Sequence, residues 1–202
     1  MLSKTKPKLV IIAGPNGSGK TSVTRKILEH EWIEGCTQVN PDDIARDVFG
    51  DWNSDEAVLK AAKYSTQIRE RCLASQSSLF FETVLSTYEK LDFIRRAQTL
   101  GYFIRLFFVG TDSPEINASR VARRVIEGGH TVPIQKIISR YSKSIANCSA
   151  AVSMVDRLYI YDNSIENSDP TLLFRASSGT LTKRYGSINT WAQTIFESLS
   201  ST

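Results

Sequence analysis

The sequence predicts an α/β fold, a mainly parallel sheet flanked by helices, and three observations carry that expectation. Short apolar, β-branched runs alternate with segments of helical periodicity along most of the chain. The first run, 9–13, leads directly into a glycine-rich loop and then into a helical segment. The 202 residues, 41% hydrophobic and 23% charged, suit one core and a single domain spanning 1–202.

The elements follow in order. Residues 9–13 read as a buried strand, 21–30 as a helix, and 37–39 as a second short strand. Segment 41–49 reads as a helix with Pro41 in its first turn, where a missing N–H does no harm. A longer helix is expected over 55–74. Residues 78–81 form a strand candidate ending at Glu82. An amphipathic helix over 87–100 stops at Gly101, a natural C-terminal cap. Residues 102–109 make the strongest strand pattern. Ser113 and Pro114 open a helix as N-cap and first residue, and it ends at Gly128-Gly129. Pro133 begins the next, with Ile134, Ile137, Ile138, Tyr141 and Ile145 on one side. Strands are expected at 157–161 and 171–175, a polar loop at 163–170, and a closing amphipathic helix at 188–199.

The loop Gly14-Pro15-Asn16-Gly17-Ser18-Gly19-Lys20-Thr21 matches G-x-x-x-x-G-K-S/T. Glycines let successive backbone N–H groups point inward around a phosphate. The following helix adds its N-terminal donors and dipole. In this motif Lys20 reaches the β- and γ-phosphates of ATP, and the Thr21 hydroxyl ligates Mg²⁺. A strand before and a helix after are the context it requires, and both are predicted. The expected class is therefore a P-loop NTPase of small-molecule-kinase type.

A kinase also needs a group to orient the accepting hydroxyl and cations for the transferred phosphoryl group. Asn40-Pro41-Asp42-Asp43 follows the second strand, at the sheet edge where ligands of open α/β sheets bind. Asp42 is the candidate proton acceptor. Asp43 fits a first-turn acid that favours the helix dipole. Glu82, with Thr83 and Ser86 after it, offers a carboxylate and hydroxyls that can grip a polyol or sugar. Arg120, Arg123 and Arg124 lie on one predicted helix at spacings of three and four. Gly128-Gly129 permits a hinge, and Lys136, Arg140 and Lys143 form the next basic face. This is the layout of an Arg-rich helical lid, over about 113–148. Asp112 and Asp162 each end an apolar run as a Walker B acid would. Asp112 is better read as part of a helix start and Asp162 as part of a turn, and neither is assigned to Mg²⁺.

Composition excludes several classes. A net charge of +4 is too mild to argue for a nucleic-acid binder. Cys36, Cys72 and Cys148 show no metal-ligand spacing and no disulfide framework, and reduced thiols point to a cytoplasmic location. The run 9–13 is too short for a signal peptide, and no stretch could span a bilayer.

Taken together, IIAGPNGSGKT (11–21), VNPDDIA (39–45), FFETVLS (80–86), RVARRVIEGGHTVP (120–133), Arg140-Tyr141 and IYDNS (160–164) resemble the zeta toxin family of P-loop kinases, in the same order. The resemblance implies ATP- and Mg²⁺-dependent phosphorylation of a hydroxyl on a UDP-activated amino sugar, notably UDP-N-acetylglucosamine. It also implies a small antitoxin that blocks the ATP site. It assigns the catalytic aspartate to Asp42, the substrate-contacting glutamate to Glu82 and the P-loop lysine to Lys20. Of the two lid arginines, Arg120 or Arg124 resembles the first. His130 stands at the place of the second, with Arg140 able to compensate. Two further readings stand beside this one, a kinase of a nucleoside or nucleic-acid end and a non-catalytic nucleotide-dependent interaction module.

Overall fold

The computed structural model describes residues 6–50, 54–126 and 132–200. The strands are β1 (Lys8–Ala13), β2 (Thr37–Val39), β3 (Leu79–Thr83), β4 (Phe103–Gly110), β5 (Arg157–Asp162), β6 (Thr171–Ser177) and β7 (Thr180–Arg184). The α-helices are α1 (Lys20–Leu28), α2 (Pro41–Phe49), α3 (Asp55–Ser75), α4 (Tyr88–Thr99), α5 (Pro114–Ile126), α6 (Ile134–Ala151) and α7 (Thr190–Glu197). They build one sheet in the order β2-β3-β1-β4-β5-β6-β7.

β1 lies between β3 and β4, parallel to both. Because successive side chains alternate faces, its apolar run supplies both sides. Leu9, Ile11 and Ala13 join a core with residues of α3, α4, α6 and α7. Val10 and Ile12 pack with Val23 and Ile27 of α1, Phe80, Phe107 and Val109. A strand covered on both faces must be apolar throughout.

The five strands from β2 to β5 run parallel, as predicted, but β6 and β7 are antiparallel. Eight residues between β5 and β6 are too few for a helical crossover, so the chain reverses. β7 is absent from the sequence reading. It pairs on one side only, and Thr180-Leu181-Thr182-Lys183-Arg184 shows no buried alternation. Its signal was Ser178-Gly179, which sits between paired Ser177 and Thr180 with both φ positive (48° and 80°). That is the primed turn that matches strand twist in two-residue hairpins. The strand predicted over 78–81 continues through Glu82 to Thr83. The helix predicted over 21–30 stops at Leu28, and Glu31–Ile33 forms a separate 3-10 turn. Gly128-Gly129 and His130 lie outside the described residues.

Parallel pairing places the C-terminal ends of β1 to β5 on one edge. The P-loop, Asn40, Val84, Thr111 and Asn163 all follow those ends. The site is built there.

Candidate active site

At Gly17 and Gly19 the φ angles are 77° and 87°. A Cβ on Gly17 would run into the Asn117 backbone, and one on Gly19 into the Asn163 carboxamide. Glycine is required by conformation and by packing together. The two asparagines hold the loop. The Asn117 amide donates to the Asn16 carbonyl at 2.7 Å and the Asn163 amide to the Ser18 carbonyl at 2.9 Å. Asn117 also accepts from the Thr111 hydroxyl. Neither asparagine was singled out for a role from the sequence. The only signal for Asn163 was its place in IYDNS.

Lys20 opens α1 and turns its ammonium back onto the loop, donating to the carbonyls of Gly14 (2.8 Å) and Pro15 (3.0 Å). Burial pulls its pKa down to about 8; Glu82 opposes the shift and Arg124 adds to it. The ammonium thus sits in a crowded wall beside a carboxylate and a guanidinium. Thr21 is exposed at the same helix start. The buried Ser18 hydroxyl has no hydrogen-bond partner.

The loop walls one side of a cavity of about 780 Å³. Asp42, Glu82, Thr83, Arg120, Arg124 and Arg140 line the same cavity. Local folding explains the Asp42–Asp43 split. The Asn40 side chain caps α2 by accepting from the Asp42 N–H at 3.0 Å, and Pro41 occupies the first turn. Asp42 is thereby exposed toward the cavity, whereas Asp43 pairs with Arg46 at 3.1 Å along the helix. Glu82 accepts from the Thr24 hydroxyl of α1 at 2.5 Å. The Thr83 hydroxyl is turned to the Leu85 N–H at 3.1 Å.

The arginines differ among themselves. Arg120 donates to the Asn163 carbonyl at 2.8 Å and is held against the loop after β5. Arg124 is exposed on the next turn and acts electrostatically on Lys20. Arg140 reaches the Asn16 side chain at 3.4 Å. Arg123 pairs with Glu166 and does not line the cavity. Asp162 accepts from Trp191 Nε1 (2.9 Å) and the Ser164 hydroxyl (2.6 Å), a turn-forming role. Asp112 accepts from Asn189 at 2.9 Å. α6 is fastened at its middle: Tyr141 donates to the Thr111 carbonyl (2.6 Å) and Ser144 to the Val84 carbonyl (2.6 Å). Arg69 of α3, also unassigned from the sequence, is 6% exposed and lines the cavity.

The zeta toxin family model matches residues 1–175. The chain belongs to the zeta toxin family. An uncharacterized protein of Haemophilus influenzae is 24% identical over 141 residues, 66% of this chain and 92% of that protein. Among solved structures, one from the PezAT toxin-antitoxin system of Streptococcus pneumoniae matches with a TM-score of 0.63 at 16% identity, covering 98% of this chain and 80% of that one. The complex of AvrRxo1-ORF1 with its ORF2, solved with ATP, matches with a TM-score of 0.63 at 17% identity, over 97% of this chain and 64% of that one. These likenesses confirm the P-loop kinase fold. With the family, they make this chain a nucleotide-dependent kinase. Among the described residues no helix is long and apolar enough to cross a membrane.

Proposed function

We propose that this chain transfers the γ-phosphoryl group of ATP to a hydroxyl of a small acceptor, a UDP-activated amino sugar. One observation carries the reading. The P-loop, the Asp42 and Glu82 carboxylates and three arginines from two helices line a single cavity. A site for binding alone needs the loop and the cations but no carboxylate beside them.

The residues present fit ATP with Mg²⁺. The glycine cradle accepts no side chain, and Lys20 and the arginines concentrate positive charge at one wall. Among the described residues no group of three or more His, Cys, Asp or Glu could hold a metal ion. That agrees with Mg²⁺, which takes few protein ligands and completes its shell with waters and substrate phosphates. The Thr21 hydroxyl would hold it. When bound, the ion neutralises charge on the β- and γ-phosphates.

Asp42 accepts the proton of the attacking hydroxyl and aligns its oxygen. Glu82, fixed by Thr24, holds a second acceptor hydroxyl. Lys20 stabilises the β- and γ-phosphates, and Arg120 with Arg124 offsets charge on the phosphoryl group in flight. Arg140, bonded to Asn16, is poised to close the α6 side. His130 adds to this set as a proposal from the sequence alone. The toxin-antitoxin origin of the PezAT neighbour supports a small antitoxin as protein partner, and the absence of disulfide or leader patterns supports action in the cytoplasm.

The test is incubation with ATP and Mg²⁺ and a panel of UDP-sugars, nucleosides and oligonucleotide ends, read by mass spectrometry for one added phosphate. UDP-N-acetylglucosamine should gain it. Transfer only to nucleosides or oligonucleotides would replace the acceptor assignment. ATP binding with transfer to nothing in the panel would remove the catalytic reading.

A further inference from the structure

Arg69 is the most deeply buried cation of the cavity wall. It lies on α3 beside Ala62 and Thr66, which line the same cavity. Of its N–H donors the described residues take up one, at the Thr66 hydroxyl (2.8 Å). Its guanidinium stands over the Phe81 ring, 5.3 Å from the centroid. Among the described residues no carboxylate lies within ion-pair distance of it. The acids that act on it are engaged elsewhere, Glu70 with Arg96 at 2.7 Å and Glu89 with Lys90 at 2.8 Å. Burial lowers its pKa, against the pull of Glu89 and Glu70. A buried guanidinium without a counter-charge is unfavourable, and a ligand anion offsets that.

A second observation lies on the same wall. Ser86, Thr87, Glu89 and Lys90 line the cavity at the start of α4. The N-cap Thr87 makes no side-chain capping bond, so N–H donors of the first turn remain open. Such a terminus favours an anion. Glu89 in that turn is offset by Lys90, its ion-pair partner.

We propose that Arg69 and the first turn of α4 form a phosphate-binding subsite in the acceptor half of the cavity. The acceptor therefore carries a phosphate or diphosphate besides its reacting hydroxyl. This rests on the kinase reading above and narrows it, since neutral sugars and free nucleosides leave the subsite empty. Arg suits this role better than Lys, because its planar fork grips phosphate oxygens in pairs.

The experiment uses the full chain with its P-loop saturated by a non-hydrolysable ATP analogue and Mg²⁺. Inorganic pyrophosphate is titrated calorimetrically into wild type, Arg69→Met and Arg69→Lys. Wild type should bind one equivalent, Arg69→Met roughly 10- to 100-fold more weakly, and Arg69→Lys in between. Thermal melts without ligand report folding. A buried, unpaired charge replaced by Met should leave stability unchanged or raised. Absence of pyrophosphate binding to wild type, or equal binding to a folded Arg69→Met, overturns the subsite. Arg69→Met weakening the ATP analogue instead assigns Arg69 to the donor and also overturns it. The acceptor identity is separable. If UDP-N-acetylglucosamine is phosphorylated with unchanged KM in Arg69→Met, the subsite fails and the acceptor reading stands. If pyrophosphate binding depends on Arg69 but UDP-N-acetylglucosamine is not phosphorylated, the subsite stands and the acceptor is another phosphate-bearing alcohol.

Discussion

Replacing Lys20 with Met should stabilise the protein while abolishing phosphoryl transfer. The folded chain holds the Lys20 ammonium at a pKa of about 8, against 10.5 for a free side chain. At about 1.4 kcal/mol per pKa unit, the charged form is disfavoured by up to about 3.5 kcal/mol. Its two bonds to the Gly14 and Pro15 carbonyls return about 0.5–1.5 kcal/mol each. The residue is also partly exposed to the cavity, which screens the penalty. The net gain on substitution is then about 1–2 kcal/mol, or roughly 2–8 °C in Tm for a chain of this size. The sign with pH follows from the depressed folded pKa. Between about 8 and 10.5 the unfolded chain holds a proton that the folded chain has lost, so wild-type stability rises with pH there. The advantage of Met, full below about pH 8, should vanish above about pH 10.5. Scanning fluorimetry at pH 7, 9 and 10.5 (chosen roughly to bracket this window) measures the gap, and a coupled ADP-release assay measures turnover. A Lys20→Met protein less stable than wild type at neutral pH, or a gap that ignores pH, refutes this account.

Asp42→Asn should fold, bind ATP and lose roughly 10²–10⁴ in kcat. Asp43→Asn removes only an exposed pair with Arg46 and should change stability by less than about 1 kcal/mol; if Asp43→Asn is the inactive variant, the assignment within the pair is reversed. Gly19→Ala forces a φ of 87° on alanine and displaces Asn163, so a loss of at least about 1–2 kcal/mol in chemical denaturation and of ATP binding is expected. Normal ATP affinity in that variant would contradict the close approach. Arg120→Ala and Arg124→Ala should each lower kcat by roughly 10³–10⁵ with little change in ATP affinity. Arg123→Ala, which loses a pair with Glu166 outside the cavity, serves as the comparison and should stay near wild type.

The legible parts of the site share a cause, which is that they are local. A buried strand, a glycine-rich turn and a helix start lie within 14 residues of sequence, from Lys8 to Thr21, and backbone geometry at each glycine follows from its neighbours. Asn40-Pro41-Asp42 was readable for the same reason, as a cap, a first-turn proline and an exposed acid. Arg69 was not. On α3 it follows ordinary helical spacing, and nothing near it in sequence tells a buried cation from a solvated one. Its environment comes from Phe81, Glu89 and Lys90, across elements that meet only in the folded sheet. Asn117 and Asn163 were hidden in the same way, since their partners Asn16 and Ser18 lie 101 and 145 residues away.

By itself, the sequence determined the parallel half of the sheet, the P-loop with its flanking elements, and the division of roles expected of Asp42 and Asp43. Periodicity, caps and glycines act over a few residues, and a linear reading captures such forces. Tertiary structure alone decided the reversal at β6, the edge strand β7, the asparagine braces of the loop and the burial of Arg69. Strand order and desolvation depend on which distant segments come to lie side by side, and a buried charge acquires its meaning only from what surrounds it.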